Sequence, residues 1–183
     1  MSVIPVGLGG AYFESEVERW FERRRAKLAS AERPTYTEDF SSAPLSEERL
    51  WYMILHADGC TLTWTTRDGA ATASWITPAV IDGGIYFPTA EGRAKTAGLR
   101  RDPRCALVFA RGGRWSATAR GRAEFMNDER WVTRWCLATA MHRGMDDEAT
   151  TQFMHRSDNA NVLVVRFHPE KFISFDATKI VRD

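Results

Sequence analysis

Apolar and polar positions along this chain change period several times, and the changes divide it into segments. Over residues 13–32, Phe13, Val17, Trp20, Phe21 and Leu28 recur at helical spacing, which predicts an N-terminal amphipathic helix. Its acidic residues (Glu14, Glu16, Glu18) come first and its basic ones (Arg23, Arg24, Arg25, Lys27) last, the order that complements a helix dipole. Residues 33–44 carry Pro34 and Pro44 as breakers and read as a linker. Ser46-Glu47-Glu48 then gives a helix-start signal for a short helix to about His56.

From Cys60 the period becomes two. CTLTWTT (60–66) predicts a strand, Asp68-Gly69 a hairpin turn, and ATASWITPAVI (71–81) a second strand. Pro78 inside that second strand demands a bend, a bulge or an edge position. Asp82-Gly83-Gly84 makes the next turn, into IYFPT (85–89). AEGRAKTAGLRRD (90–102) is compatible with a short helix. After Pro103, CALVFA (105–110) returns to strand, and Gly112-Gly113 turns it into RWSATARGRAEF (114–125). Hairpins following one another this closely form an antiparallel meander, and a meander protects its edges most simply by closing into a small barrel. Asn127, with Asp128 and Glu129 behind it, marks a helix start, and Val132, Trp135, Cys136 and Thr139 give that helix an apolar side. A second helix is expected over about 146–155, then NVLVVRF (161–167) as a buried strand and KFISFD (171–176) as a separate shorter one. The expected organisation is an arm and linker over 1–45 and a barrel domain over 46–183 with a helical insert at about 127–155.

Composition narrows the function classes. With 183 residues, 44% of them hydrophobic, the chain is long enough to bury an ordinary core. A net charge of +1 argues against a general nucleic-acid binder, whose phosphate contacts need surplus cations. No apolar run reaches membrane-spanning length, and the first ten residues lack the pattern of a secretory signal, so the expectation is a cytoplasmic protein without a membrane partner. Cys60, Cys105 and Cys136 are odd in number and widely spaced, which indicates neither a disulfide framework nor a zinc site. His142 and His155 lie thirteen residues apart, not at the i, i+4 spacing of helical metal ligands, so no metal is expected.

Only four of the 25 basic residues are lysine: Lys27, Lys95, Lys171 and Lys179. One of them stands in the segment richest in candidate chemistry. PTAEGRAKTAGLRRDPR (88–104) leaves a strand, turns at Gly92 and brings Arg93, Lys95 and Thr96 together at a helix start. Backbone N–H groups, an Arg fork and a Lys make an anion site; a solvated basic helix face is the other reading of the same spacing. Arg120 and Arg122 alternate with small residues on one strand face and read as surface arginines. No nucleophile motif or Ser-His-Asp order is visible.

TAEGRAKTAGLRRDPRCALVF (89–109) resembles the FMN-binding split-barrel superfamily of pyridoxamine-phosphate-oxidase-like proteins, in its strand ending on threonine, its Arg-x-Lys pair and its Arg-Asp-Pro-Arg before the next strand. The resemblance spans about 46–176 and is closest to the branch whose members bind FMN or the deazaflavin F420. It implies a mainly β, six-stranded antiparallel split barrel with flanking helices, as a homodimer with cofactor at the subunit interface. By matching position it implies that Arg93 and Lys95 bind phosphate, with Thr89 and Thr96 as neighbouring contacts. It also implies that Ser74, Trp75, Ile76 and Thr77 flank the ring. FMN is the first expected cofactor and F420 the second, with haem, through His56, His142 or His155, ranked last. The expected activity is hydride transfer between the flavin and a small organic substrate; the alternative is a non-catalytic flavin, deazaflavin or haem binder. Two features depart from the family pattern. The C-terminal HPEKFISFDATKIVRD lacks the Arg-x-Arg substrate motif of the true pyridoxamine-phosphate oxidases, which excludes vitamin B6 phosphate oxidation as the expected reaction. Trp75 is bulky for a ring-facing strand and either shields the site or points into the barrel core.

Overall fold

The turn chemistry is realised first. In this computed structural model, which describes residues 43–158 and 161–179 together with Arg19, Glu22 and Ala26, the turns at Gly69, Gly83 and Gly112-Gly113 each join two antiparallel strands. Asp82 and Gly83 take φ +49° and +75°, and Gly112 and Gly113 take +57° and +66°, the left-handed pair that a two-residue hairpin needs. The chain divides into units Met1–Asp39 and Phe40–Asp183. In the first, Arg19, Glu22 and Ala26 are helical. The rest of the expected arm, and the linker up to residue 42, lie outside the described residues.

In the second unit, α1 (Glu47–Leu55) starts where Ser46 caps it, the Ser46 Oγ accepting from the Arg49 N–H at 3.3 Å. Then come β1 (Cys60–Thr65), β2 (Ala71–Ile76), β3 (Ala79–Ile81), β4 (Gly84–Ala90), α2 (Ala94–Arg101), β5 (Arg104–Arg111) and β6 (Trp115–Phe125). The helical insert is α3 (Arg130–His142) and α4 (Asp147–Ser157), and β7 (Val162–Asp176) ends the sheet before a short 3-10 turn at Ala177–Lys179.

The sheet has seven strands, not the six expected, in the order β2-β1-β5-β6-β7-β4-β3, all antiparallel. The count of six comes from the family resemblance; against the pattern of the sequence, one strand is gained at Pro78 and one is lost where the last two join. Pro78 cannot donate to a ladder, so 71–81 breaks there into β2 and β3. These two strands stand at opposite edges of the sheet, yet only Thr77 and Pro78 separate them. Three Cα steps of 3.8 Å span at most about 11 Å. The sheet must therefore curl until its edges nearly meet, which makes it a split barrel.

The barrel interior fills by matching large residues to small ones. On β6 the inward positions are Ala117, Ala119, Gly121 and Ala123, and opposite them stand Phe109, Leu107, Cys105 and Phe167. Gly121 is required: a Cβ there would lie 2.0 Å from the His168 carbonyl oxygen, where the β6–β7 register shifts. The shift leaves Glu170 unpaired between Pro169 and Lys171, and 161–167 and 171–176 form one long bulged strand rather than the two expected. A second cluster, outside the barrel, packs Trp135 and Cys136 of α3 against Ala79, Ile81, Tyr86 and Val164. The Tyr86 and Trp131 rings stack 4.7 Å apart. Helix α3 begins three residues after Asn127, because Asp128 rather than Asn127 accepts from the Arg130 N–H, at 2.9 Å.

Candidate functional site

The segment between β4 and α2 is tied from inside. The Thr96 hydroxyl donates to the Ala90 carbonyl at 2.7 Å and lies 2.8 Å from the Thr89 hydroxyl. Both threonines are buried, at 6% and 1% exposure. With its proton committed to Ala90, Thr96 accepts from Thr89, and the two side chains clasp the turn. Gly98 lets α2 sit on the Trp64 indole, since a Cβ would be 2.4 Å from the ring.

This clasp presents the start of α2 in an open state. Arg93 is its N-cap residue, no side chain caps it, and its first turn carries no acidic residue. The first N–H groups of a helix have no intrahelical acceptor, so they offer donors to an anion. The nearby acid is already neutralised, because Arg100 forms a two-pronged ion pair with Glu91. Arg101 donates to the Thr65 carbonyl. Arg93 and Lys95 have no ion pair among the described residues. Burial of the half-buried Lys95, and secondly the Arg93 charge beside it, pull its pKa below the ordinary lysine value. An anion bound between them would relieve that unfavourable pairing.

A cavity of about 550 Å³ opens at this point, within the range that holds small-molecule ligands. Arg93, Ala94 and Lys95 form one side, with Pro88, Thr89 and Ala90 leading into it. Trp64 and Trp135 supply aromatic walls, Ser74 projects from β2, and Val162 begins β7. A third cation, Arg156 of α4, also lines it, and among the described residues no carboxylate does. The Ser74 Oγ is buried without a hydrogen-bond partner among the described residues. A buried unsatisfied hydroxyl is costly unless something else completes it.

Four expected residues thus meet in one cavity: Ser74, Thr89, Arg93 and Lys95. Thr96 lies behind them as part of the clasp. The rest of the expected ring-flanking strand is distributed by the pleat. Ile76 is buried in the core at 4% exposure. Trp75 is 67% exposed, with its indole lying over Gly59, so the core alternative for this side chain is overturned. Alternation puts Trp75 on the face opposite Ser74 and Ile76. Thr77 accepts from the Trp135 indole through its carbonyl, at 3.4 Å, and from Arg143 through its hydroxyl, also at 3.4 Å. Sequence reasoning missed Trp64, Trp135 and Arg156. Trp64 was visible only as a strand residue, and nothing local marks Arg156, sixty residues further along.

The remaining candidates fall elsewhere. His142 meets His56, their rings 6.2 Å apart, rather than His155. Among the described residues no group of three or more metal-ligating side chains gathers, and no helix is long and apolar enough to cross a membrane. All three cysteines are buried and free, and burial pushes the Cys60 and Cys105 thiols up to about 12.

Fold and site together define a class: an antiparallel split barrel with a turn of unpaired cations beside its seam. The chain belongs to the pyridoxamine 5'-phosphate oxidase family, whose model matches residues 49–174. No curated protein matches it. Among solved structures, a conserved hypothetical protein of Mycobacterium tuberculosis superposes with a TM-score of 0.66 at 22% identity, covering 76% of this chain and 91% of that one. A putative 5-nitroimidazole antibiotic resistance protein of Bacteroides thetaiotaomicron gives 0.57 at 19% identity, covering 70% and 82%. A putative pyridoxamine 5'-phosphate oxidase of Listeria innocua gives 0.55 at 18%, covering 69% and 95%. At these identities the likeness is one of fold.

Proposed function

We propose that the protein binds a flavin-type cofactor, FMN first and the deazaflavin F420 second, and acts as an oxidoreductase on a small organic substrate. The observation that carries this reading is the cavity with three cations, no carboxylate among the described residues and an uncapped helix start. Those groups fit a phosphate: Arg93 and Arg156 supply planar forks, Lys95 a point charge, and the start of α2 backbone donors. Ser74 has an unused hydroxyl for a polar edge of the ligand, and Trp64 and Trp135 give flat apolar walls for its body. β2 is an edge strand, so one row of its backbone N–H and C=O groups is free of the ladder. The bound flavin supplies the hydride chemistry itself, at N5 or, in a deazaflavin, at C5. The chain's own part is to hold, orient and dehydrate it, which needs no side-chain base. In this reading the protein is a homodimer whose second copy covers the open side of the cofactor.

The absorbance spectrum of the purified protein, alone and after adding FMN or F420, tests the assignment, because flavin, deazaflavin and haem differ in colour. Arg93→Ala with Lys95→Ala should weaken FMN binding by more than about a hundredfold while circular dichroism stays unchanged, since each of the two charge-assisted hydrogen bonds lost contributes roughly 1.5–3 kcal/mol. A colourless protein that ignores both cofactors would overturn the reading. Unchanged affinity in the double variant would overturn the site. Turnover of NAD(P)H or reduced F420 with a simple acceptor separates an enzyme from a binder.

A further inference from the structure

A second and larger cavity, about 820 Å³, lies between α3 and α4. Its floor is apolar: Val132 and Cys136 of α3, Met154 of α4 and Val162 of β7. Helix α4 has no fully buried residue. Its best packing contact is Phe153 against Trp135, with ring centroids 5.5 Å apart. Helices normally hold their place by burying an apolar face. Here that face borders unfilled space, and a ligand there would bury both walls at once.

The charge at the mouth is specific. Glu129, just before α3, and Asp158, just after α4, line the cavity and have no ion pair among the described residues. The cation beside them, Arg130, is bound to Asp128 at 2.5 Å. His155 and the Cys136 thiol are the remaining titratable groups in the lining. Ser157 and Val162 belong to both cavities, so a shared wall separates an acidic pocket from the cationic one.

We propose that the α3–α4 cavity binds an apolar small molecule carrying a cationic nitrogen, with the nitrogen against Glu129 and Asp158 and the apolar body on Val132, Cys136, Met154 and Val162. As the substrate pocket of the proposed oxidoreductase this rests on the reading above; as a binding site it stands on the cavity alone.

The test is calorimetric titration of the full chain at pH 8, where an ordinary histidine is neutral. The probes are 4-phenylbutylamine, 4-phenylbutanol and 4-phenylbutyrate. The amine is expected to bind at least tenfold tighter than the carboxylate. Glu129→Gln with Asp158→Asn should abolish that preference while FMN affinity is unchanged. Val132→Trp, which fills the floor, should weaken all binding at least tenfold with the unfolding temperature retained; Val132→Phe is the second filling variant if the first fails to fold. The inference is overturned if no probe binds, if the carboxylate binds as tightly as the amine, or if amine affinity survives the filling. Amine binding without FMN binding would overturn the cofactor reading and leave this one standing.

Discussion

The barrel and the helical insert are built to different standards of packing. In the barrel and the two helices packed on it, eighteen buried residues form one cluster among the described residues, and β5, β6 and β7 match large side chains to small ones position by position. In the insert, α3 sits on the outer sheet face through Trp135 and Cys136, but α4 buries nothing fully and leaves a cavity behind it. Both cavities border the insert, and neither lies within the barrel core. A close-packed interior has no room for a ligand and tolerates little change. The seam where a rigid sheet meets a loosely seated helix has both room and adjustable walls, so the candidate chemistry collects there.

Four changes would break or sharpen this contrast. The largest effect is expected from Gly121→Val, whose new side chain meets a backbone carbonyl that cannot step aside. The chain should fail to fold, read by circular dichroism and gel filtration; a folded, soluble variant would mean the barrel is more yielding than its packing implies. Next, Phe87→Ala, at a fully buried position, should cost about 3–5 kcal/mol in urea unfolding. The matching change in the insert, Phe153→Ala, should cost only about 1–2 kcal/mol because its ring is half-buried. Equal costs would erase the distinction between the two regions.

The smallest effect is one of pH. Asp176, at the end of β7, has no exposed side-chain surface. Its carboxylate accepts from the Thr178 hydroxyl at 2.6 Å, from the Thr178 N–H at 3.0 Å and from Arg49 at 2.6 Å. The Thr178 hydroxyl first, then its N–H and Arg49, hold the Asp176 pKa below the usual carboxylate value against the opposing effect of burial. A depressed native pKa adds stability above the unfolded pKa, about 3.9, and loses it as pH falls through the native value. Wild-type protein should therefore lose stability below about pH 4, and Asp176→Asn should be less stable at neutral pH with a shallower acid dependence. Parallel acid-unfolding curves for the two proteins would remove Asp176 from the account.

Much of this could be read locally. Asp82-Gly83 and Gly112-Gly113 announce hairpins because left-handed backbone is open to glycine and tolerable for Asp. Ser46 and Asp146 announce helix starts because their side chains satisfy N–H groups a few residues on; Asp146 accepts from the Ala149 N–H at 2.8 Å. Arg93 and Lys95 stand out because they meet at a strand–turn–helix start, and the one carboxylate close to them along the chain, Glu91, is taken by Arg100. Even the Pro78 break is a local fact, and the edge position that it demands is where both flanking strands lie.

The tertiary structure decided the rest, for reasons no local pattern contains. Whether residues 71–81 are one strand or two depends on the sheet curling far enough for Ile76 and Ala79 to lie on opposite edges. Whether Ser74 or Trp75 faces the cavity turns on register, since a slip of one residue exchanges the faces. Arg156 lines the same cavity as Arg93 and Lys95 only because the folded chain brings the end of α4 beside the start of α2. The sequence by itself determined the turns, the caps and the basic pair, since these are set by backbone sterics and short-range hydrogen bonding. The sheet order, the inward faces and the membership of the two cavities come from long-range packing, which only the closed fold can specify.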